Sequence, residues 1–130
     1  GADGVQVGSR FAASVESSAH ENFKNKIIET NEGETQVTLK ELAPVRLIKN
    51  KFYQEVQDLY AQCPTKEELS ALLGRARAKH GMFEGDLDEG ELEIGQIAGL
   101  IHEIKPVAEI ISEMITDFNL ARKEIEKFDF

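Results

Sequence analysis

The sequence contains a single cysteine, Cys63, and so no internal disulfide. That excludes a secreted disulfide scaffold and favours a reducing compartment. No apolar run approaches the ~20 residues that a membrane span needs. Gly1 to Arg10 lack a basic start followed by an apolar stretch, which predicts no signal peptide and, with the lone thiol, a cytoplasmic location. Positive charge is scarce. Fifteen Lys+Arg face 24 Asp+Glu, a net charge of −9 with a pI near 4.8. Such an excess repels phosphate backbones and anionic lipid, so no nucleic acid and no membrane are expected as partners. Internal repeats and low-complexity stretches are missing too. What remains is ordinary: 130 residues, 41% hydrophobic and 30% charged, enough for one globular domain and against wholesale disorder.

The chain opens with Gly1 rather than Met and at once reads as a strand, Gly4 to Gly8, in which Val5 and Val7 alternate with Gln6. A strand there has no evident partner, since only Thr35 to Leu39 also reads as one. Two short strands make a marginal sheet. The expectation is therefore a piece of a larger protein, cut on its N-terminal side. Ala12 to Ala19 reads as a turn region. A helix should follow, capped by Ser17 or Ser18 with Glu21 at capping-box spacing. Phe23, Ile27 and Ile28 give it an apolar stripe, and Asn31-Glu32-Gly33 stops it. Pro44 suits a helix start, and Leu47, Ile48, Phe52, Val56 and Leu59 carry helical spacing to about Ala61. Thr65 and Glu68 form a second capping-box pattern before Leu69, Leu72 and Leu73. Gly81 to Gly95 reads as an irregular, solvated acidic loop. Two helices close the chain, Gln96 to Ile104 and Pro106 to Glu126. The second has a continuous apolar face of Val107, Ile110, Ile111, Met114, Ile115 and Phe118. The fold class is mostly α with one or two short β-strands.

Several segments could carry chemistry. A strand ending in Gly8-Ser9 frees the following N–H groups for an anion, which can approach because Gly8 has no Cβ, and Ser9 adds a hydroxyl donor. In a (β/α)8 barrel the alternation would aim Gln6 at the mouth, and the phosphate site of such barrels is often built from the last two strand loops. Asp86-Leu87-Asp88-Glu89-Gly90 fails as a calcium loop, because its Gly falls at the fifth position and no closing Glu follows. His20, His80 and His102 lie on separate segments without metal-ligand spacing, so no metal site is assigned. His20 and His102 read as helix-surface residues. Cys63 beside Pro64 reads as a passive thiol. Arg46, Lys49 and Lys51 read as the solvent face of a helix. Gly95 and Gly99 open a helix where a neighbour's backbone can come close.

Taken together, Gly1-Ala2-Asp3-Gly4-Val5-Gln6-Val7-Gly8-Ser9-Arg10-Phe11, Glu16-Ser17-Ser18-Ala19-His20, Ala43-Pro44-Val45-Arg46-Leu47-Ile48-Lys49-Asn50-Lys51 and Gly95-Gln96-Ile97-Ala98-Gly99-Leu100-Ile101 resemble, in this order, the nitronate monooxygenase-like flavoproteins. That superfamily includes the nitronate monooxygenases, once called 2-nitropropane dioxygenases, and the FMN-dependent enoyl-acyl-carrier-protein reductase II. The stretch from Pro44 to Lys51 and the Gly-Gln segment look most like the reductase branch. The resemblance implies a C-terminal fragment of an FMN-binding (β/α)8 TIM barrel. Residues 1–40 would be the end of the barrel, strand eight and its helix, and residues 41–130 the helical lid and C-terminal helices. It implies FMN as cofactor, its phosphate bound by Gly8 and Ser9 with Gln6 just beneath; Ser9 stands where many relatives have Thr and keeps the hydroxyl. The family's other FMN glycines and its catalytic His would precede this segment, so no catalytic residue is assigned here.

Two activities follow from the resemblance. One is reduction of an enoyl thioester with NAD(P)H as cosubstrate, in fatty acid biosynthesis; the other is oxidation of alkyl nitronates. The 130-residue piece alone is expected to be inactive. A reading of another class is a non-catalytic helical module. Its partners would be the rest of the barrel or, in isolation, a second copy in a homodimer.

Overall fold

The computed structural model describes residues 3–128, so Gly1 and Ala2 of the opening motif lie outside the described residues. The expected strand Gly4–Gly8 does not form. A strand needs a neighbour to take up its N–H and C=O groups, and among the described residues none lies beside it. The segment is irregular and Val5 is 88% exposed. It leads directly into a one-turn helix, α1 (Ser9–Ala12), where the sequence suggested only a turn from Ala12 onward.

Helix α2 (Glu21–Glu29) buries Phe23 and Ile27, as their spacing predicts. Its cap is a correction. Neither Ser17 nor Ser18 caps it; His20 Nδ1 accepts from Asn22 N at 3.1 Å. Gly85, at φ +81°, passes so close to that imidazole that a Cβ there would meet His20 Nδ1 at 2.3 Å. The ring is thus fixed between α2 and the acidic loop rather than lying on a helix surface. His102 is exposed but lies outside any helix.

Thr35 to Leu39 does yield a strand, β1 (Thr35–Thr38), and it pairs antiparallel with β2 (Val45–Ile48), Thr35 opposite Ile48 and Thr38 opposite Val45. β2 corrects the helix expected from Pro44. Leu47 and Ile48 fit helical spacing with Phe52, but in Val45-Arg46-Leu47-Ile48 the β-branched residues favour an extended chain with β1 at hand. The helix begins only at α3 (Lys51–Tyr60), capped by Asn50, whose Oδ1 accepts from Tyr53 N at 2.9 Å. Arg46 and Lys49 accordingly do not share a helix face. Arg46 Nη1 donates to Thr35 O at 3.2 Å and Lys49 Nζ to Gly33 O at 2.9 Å, while Lys51 pairs with Glu89.

Helix α4 (Lys66–Leu73) starts on the expected capping box, with Thr65 Oγ1 accepting from Glu68 N and Glu68 accepting from Thr65 N. A further helix, α5 (Arg77–Met82), which the sequence does not announce, runs into the first two residues of the expected acidic loop. The loop beyond it is not simply solvated. Asn50 Nδ2 donates to the carbonyls of Leu87, Asp88 and Gly90, and Arg77 Nη1 to that of Glu89 at 2.8 Å. Leu92 and Ile94 are buried because 92–94 runs along the free side of β2: Ile48 N donates to Leu92 O at 3.0 Å and Ile94 N to Arg46 O at 3.1 Å.

The helix expected over Gln96 to Ile104 is a tighter 3-10 turn, Gln96–Leu100. The last helix, α6 (Val107–Ile125), follows Pro106 as expected. Apolar side chains form two clusters. One joins Ala13, Phe23, Ile27, Ile48, Leu92, Ile94, Ala98 and Ile101. The other joins Leu39, Leu47, Phe52, Tyr53, Val56 and Leu69. Of the α6 stripe only Ile110 is buried. Among the described residues no helix is long and apolar enough to cross a membrane.

Candidate functional site

The Gly8-Ser9 turn is built from the sheet outward. β2 aligns 92–94, and that segment delivers Gly95 against α1. Gly95 N donates to Ser9 Oγ at 3.0 Å, across 86 residues of sequence. The other end of α1 is held by the approach to α6. Arg10 Nη1 donates to Glu103 O at 3.1 Å, Val15 N to Lys105 O at 3.0 Å, and Val107 N to Glu16 Oε2 at 2.9 Å. Ala13, directly after the turn of helix, is completely buried in the first cluster. A four-residue helix has little stability of its own; these anchors hold its first turn in place.

Gly8 is the residue before the helix, and its carbonyl accepts from Phe11 N and Ala12 N at 3.0 Å. Of the N–H groups of α1, those of Ser9 and Arg10 are left with no carbonyl behind them within the helix. The space above Gly8 is open: a Cβ built there meets nothing within 4 Å. Two clefts meet at this point. One, of about 530 Å³, is lined by Gly8, Ser9, Ala12, Pro44, Val45, Arg46, Glu93, Ile94 and Gly95. The other, of about 680 Å³, is lined by Gln6, Val7, Gly8, Ser9, Arg10, Ile97, Leu100, Ile101, Met114 and Asp117. Gln6, Gly8 and Ser9 therefore share one rim, with Gln6 exposed and Ser9 half-buried. The clefts carry mixed charge, Arg46 with Glu93 in one and Arg10 with Asp117 in the other.

Gly95 reads from sequence as a point of close backbone approach, but nothing local points to Ser9 as what it approaches. Gly99 fulfils the same role on the other side: a Cβ there would lie 3.0 Å from Glu32 N, in the turn that follows α2. Glu91 reads from sequence as one more carboxylate of the solvated loop. It is buried, and desolvation, with Glu93 beside it, pushes its carboxyl up to about 7 against the opposing pull of Arg77. Among the described residues no group of three or more His, Cys, Asp or Glu is placed to hold a metal ion. Cys63 is exposed, and His80 pairs with Glu84.

Residues 1–117 match the family model described as nitronate monooxygenase. A Bacillus subtilis (strain 168) protein described as "Probable nitronate monooxygenase" is 34% identical over 116 residues, which is 88% of this chain and 33% of that protein. The structure of FabK from Thermotoga maritima superposes with a TM-score of 0.84 at 35% identity, covering 97% of this chain and 40% of that one. A mutant form of the same FabK gives a TM-score of 0.79. The chain thus spans about a third of the curated relative's length and two-fifths of FabK's. The match over residues 1–117 means that this chain belongs to the nitronate monooxygenase family.

Proposed function

We propose that the chain is the C-terminal part of an FMN-dependent oxidoreductase and that its Gly8-Ser9 turn receives the flavin phosphate. The observation that carries this reading is the open, glycine-floored rim at Gly8. Backbone N–H groups of the first turn of α1 and the Ser9 hydroxyl border it, and the two clefts meet there. The donor set suits a phosphate: N–H and O–H groups at a helix start, with no carboxylate on the turn itself. When bound, the flavin supplies the hydride and electron chemistry. This chain's part is to hold the phosphate end, with Gln6 on the same rim. In this reading residues 1–40 close the barrel and residues 41–130 form the lid and final helices.

The reaction we favour is reduction of the carbon–carbon double bond of an enoyl thioester, with NAD(P)H reducing the flavin. The likeness to FabK over 97% of the chain supports it, as do the reductase-like segments Pro44–Lys51 and Gly95–Ile101. Oxidation of alkyl nitronates is the second reading, supported by the family model and the Bacillus relative. One assay separates them: purified full-length protein is supplied with NAD(P)H and a crotonyl thioester, and separately with ethyl nitronate and oxygen. Thioester-dependent NAD(P)H consumption without nitronate turnover supports the first; the reverse result replaces it with the second.

A further inference from the structure

Gly95 is not a glycine for the sake of its backbone. Its φ of −70° and ψ of 160° are open to any residue. What a side chain here would disturb is its neighbour: a Cβ would stand 2.6 Å from Ser9 Oγ, well inside van der Waals contact, so the hydroxyl would have to turn away. The N–H of the same residue donates to that oxygen at 3.0 Å. A serine hydroxyl has one proton and two lone pairs. With a lone pair occupied by the Gly95 N–H, the O–H must point away from Gly95. Among the described residues no hydrogen bond takes up that proton. Both Ser9 and Gly95 line the cleft that opens at Gly8.

We infer that Gly95 is a positioning residue that turns the Ser9 hydroxyl into a fixed donor toward the flavin phosphate, and so sets the preference for the phosphorylated flavin over riboflavin. This rests on the phosphate reading of the Gly8-Ser9 turn. A hydroxyl free to rotate must give up that freedom to donate to the phosphate. The amide of Gly95 excludes the orientation in which the proton points at Gly95 before the ligand arrives. Hydrogen bonds to charged groups are the strong ones, so orientation of this single proton acts on the phosphorylated ligand and not on the unphosphorylated one.

The test uses the full-length protein stripped of flavin and titrated with FMN and with riboflavin, followed by quenching of flavin fluorescence. Gly95→Ala should weaken FMN about tenfold or more and leave riboflavin within about twofold. Ser9→Ala should do the same, and the double variant should match Ser9→Ala, since without Oγ there is nothing left to orient or to strike. If Gly95→Ala does not fold, replacing Gly95 by glycolic acid removes the N–H while adding no bulk, and the same FMN-selective loss is expected. Equal weakening of both flavins would show that Gly95 serves packing alone and overturn the inference. So would an FMN-selective loss in Ser9→Ala without one at Gly95, which leaves the phosphate reading standing. An unchanged FMN-to-riboflavin ratio in Ser9→Ala removes the phosphate reading at Ser9 and the inference with it.

Discussion

Asn50 Nδ2 lies 2.8 Å from the carbonyl oxygen of Gly90, forty residues away, while Asn50 Oδ1 accepts from Tyr53 N in the first turn of α3. One amide thereby starts a helix and fastens the acidic loop, for the same Nδ2 also reaches Leu87 O at 2.9 Å and Asp88 O at 3.1 Å. The carbonyls converge because Gly90 lets the loop close on itself; a Cβ there would lie 2.3 Å from Gly81 Cα. Asn50→Ala should lose the helix cap and take the side-chain donor from Leu87 O and Gly90 O, while Asp88 O keeps Phe52 N, a destabilisation of about 2–4 kcal/mol. Urea unfolding of the two chains measures it. A loss under about 0.5 kcal/mol, the range of ordinary surface substitutions, would mean that the loop holds its shape without Asn50.

How far such relationships could be read from sequence depends on their range. The Thr65–Glu68 box and the α6 stripe are local patterns, and both form. Val45–Ile48 reads as helix because Leu47 and Ile48 satisfy two periods at once, and only pairing with Thr35–Thr38 decides between them. Burial of Leu92 and Ile94 also needs β2 as a strand, since 92–94 runs along its free side, so reading β2 as helix hides the ordered end of the acidic loop as well. His20 capping α2 depends on Gly85 bringing backbone against the ring. Of the site, Gln6, Gly8 and Ser9 were named from family resemblance and a short Gly-Ser pattern. The Gly95 contact, 86 residues distant, has no local signal beyond a glycine that its own φ does not require.

Gly8 and Ser9 should differ in what they cost. In the full-length protein Gly8→Val would fill the open space that the phosphate is proposed to occupy, whereas Ser9→Ala removes one hydrogen bond to a charged group, worth roughly 1.5–3 kcal/mol. We expect Gly8→Val to retain less FMN after purification than Ser9→Ala. Flavin absorbance per mole of protein decides it, and equal retention would count against Gly8 as the floor of the site.

The 130-residue chain by itself should bind FMN poorly. Its rim offers groups for the phosphate, while the proposal assigns the isoalloxazine and ribityl contacts to the rest of a longer protein. Fluorescence titration should reveal no saturable binding below millimolar flavin. A micromolar dissociation constant, about −8 kcal/mol, would show that this segment carries a complete flavin site.

Glu91 gives a pH dependence of definite sign. Its carboxyl ordinarily titrates near 4.5 and is raised to about 7 in the fold. Between these values the folded chain keeps a proton that the unfolded chain has released. Stability from this group therefore falls as pH rises from 4.5 to about 7 and is level beyond. Exposed carboxylates act the other way: Glu34, held by the Asn31 N–H, and Glu68, held by the Thr65 N–H, lie below their ordinary value and contribute less as pH falls. Comparing Glu91→Gln with the unaltered chain cancels those. The variant should match it near pH 4.5 and exceed it by roughly 1–3 kcal/mol at pH 8. Urea midpoints at the two pH values test this; a difference that does not change with pH would place the titration elsewhere.

The last prediction concerns self-association of the isolated chain. The apolar spacing over Phe52, Val56 and Leu59 would offer one face for it, but α3 spends that face within the chain, because Phe52, Tyr53 and Val56 are buried with Leu69 and Leu47 in the second cluster. α6 remains. Ile111, Met114, Ile115 and Phe118 lie on one side of it, all exposed, with Phe118 66% so, and Leu100, 72% exposed, lies across the cleft from Met114. Burying one large apolar side chain is worth roughly 1.5–3 kcal/mol, so this surface favours a cover. In a full-length protein the rest of the barrel would supply it. We propose that in isolation a second copy does, as a two-fold dimer, the commonest closed assembly. The net charge of −9 opposes contact, but surface repulsion is screened over about 8 Å at ~0.15 M salt. Light scattering in that salt should report a homodimer or larger species, and Ile115→Glu with Phe118→Glu should shift it toward 14.5 kDa without loss of helix by circular dichroism. A monomer of that mass at high micromolar concentration before any substitution would mean that the exposed stripe on α6 is tolerated in water and needs no partner.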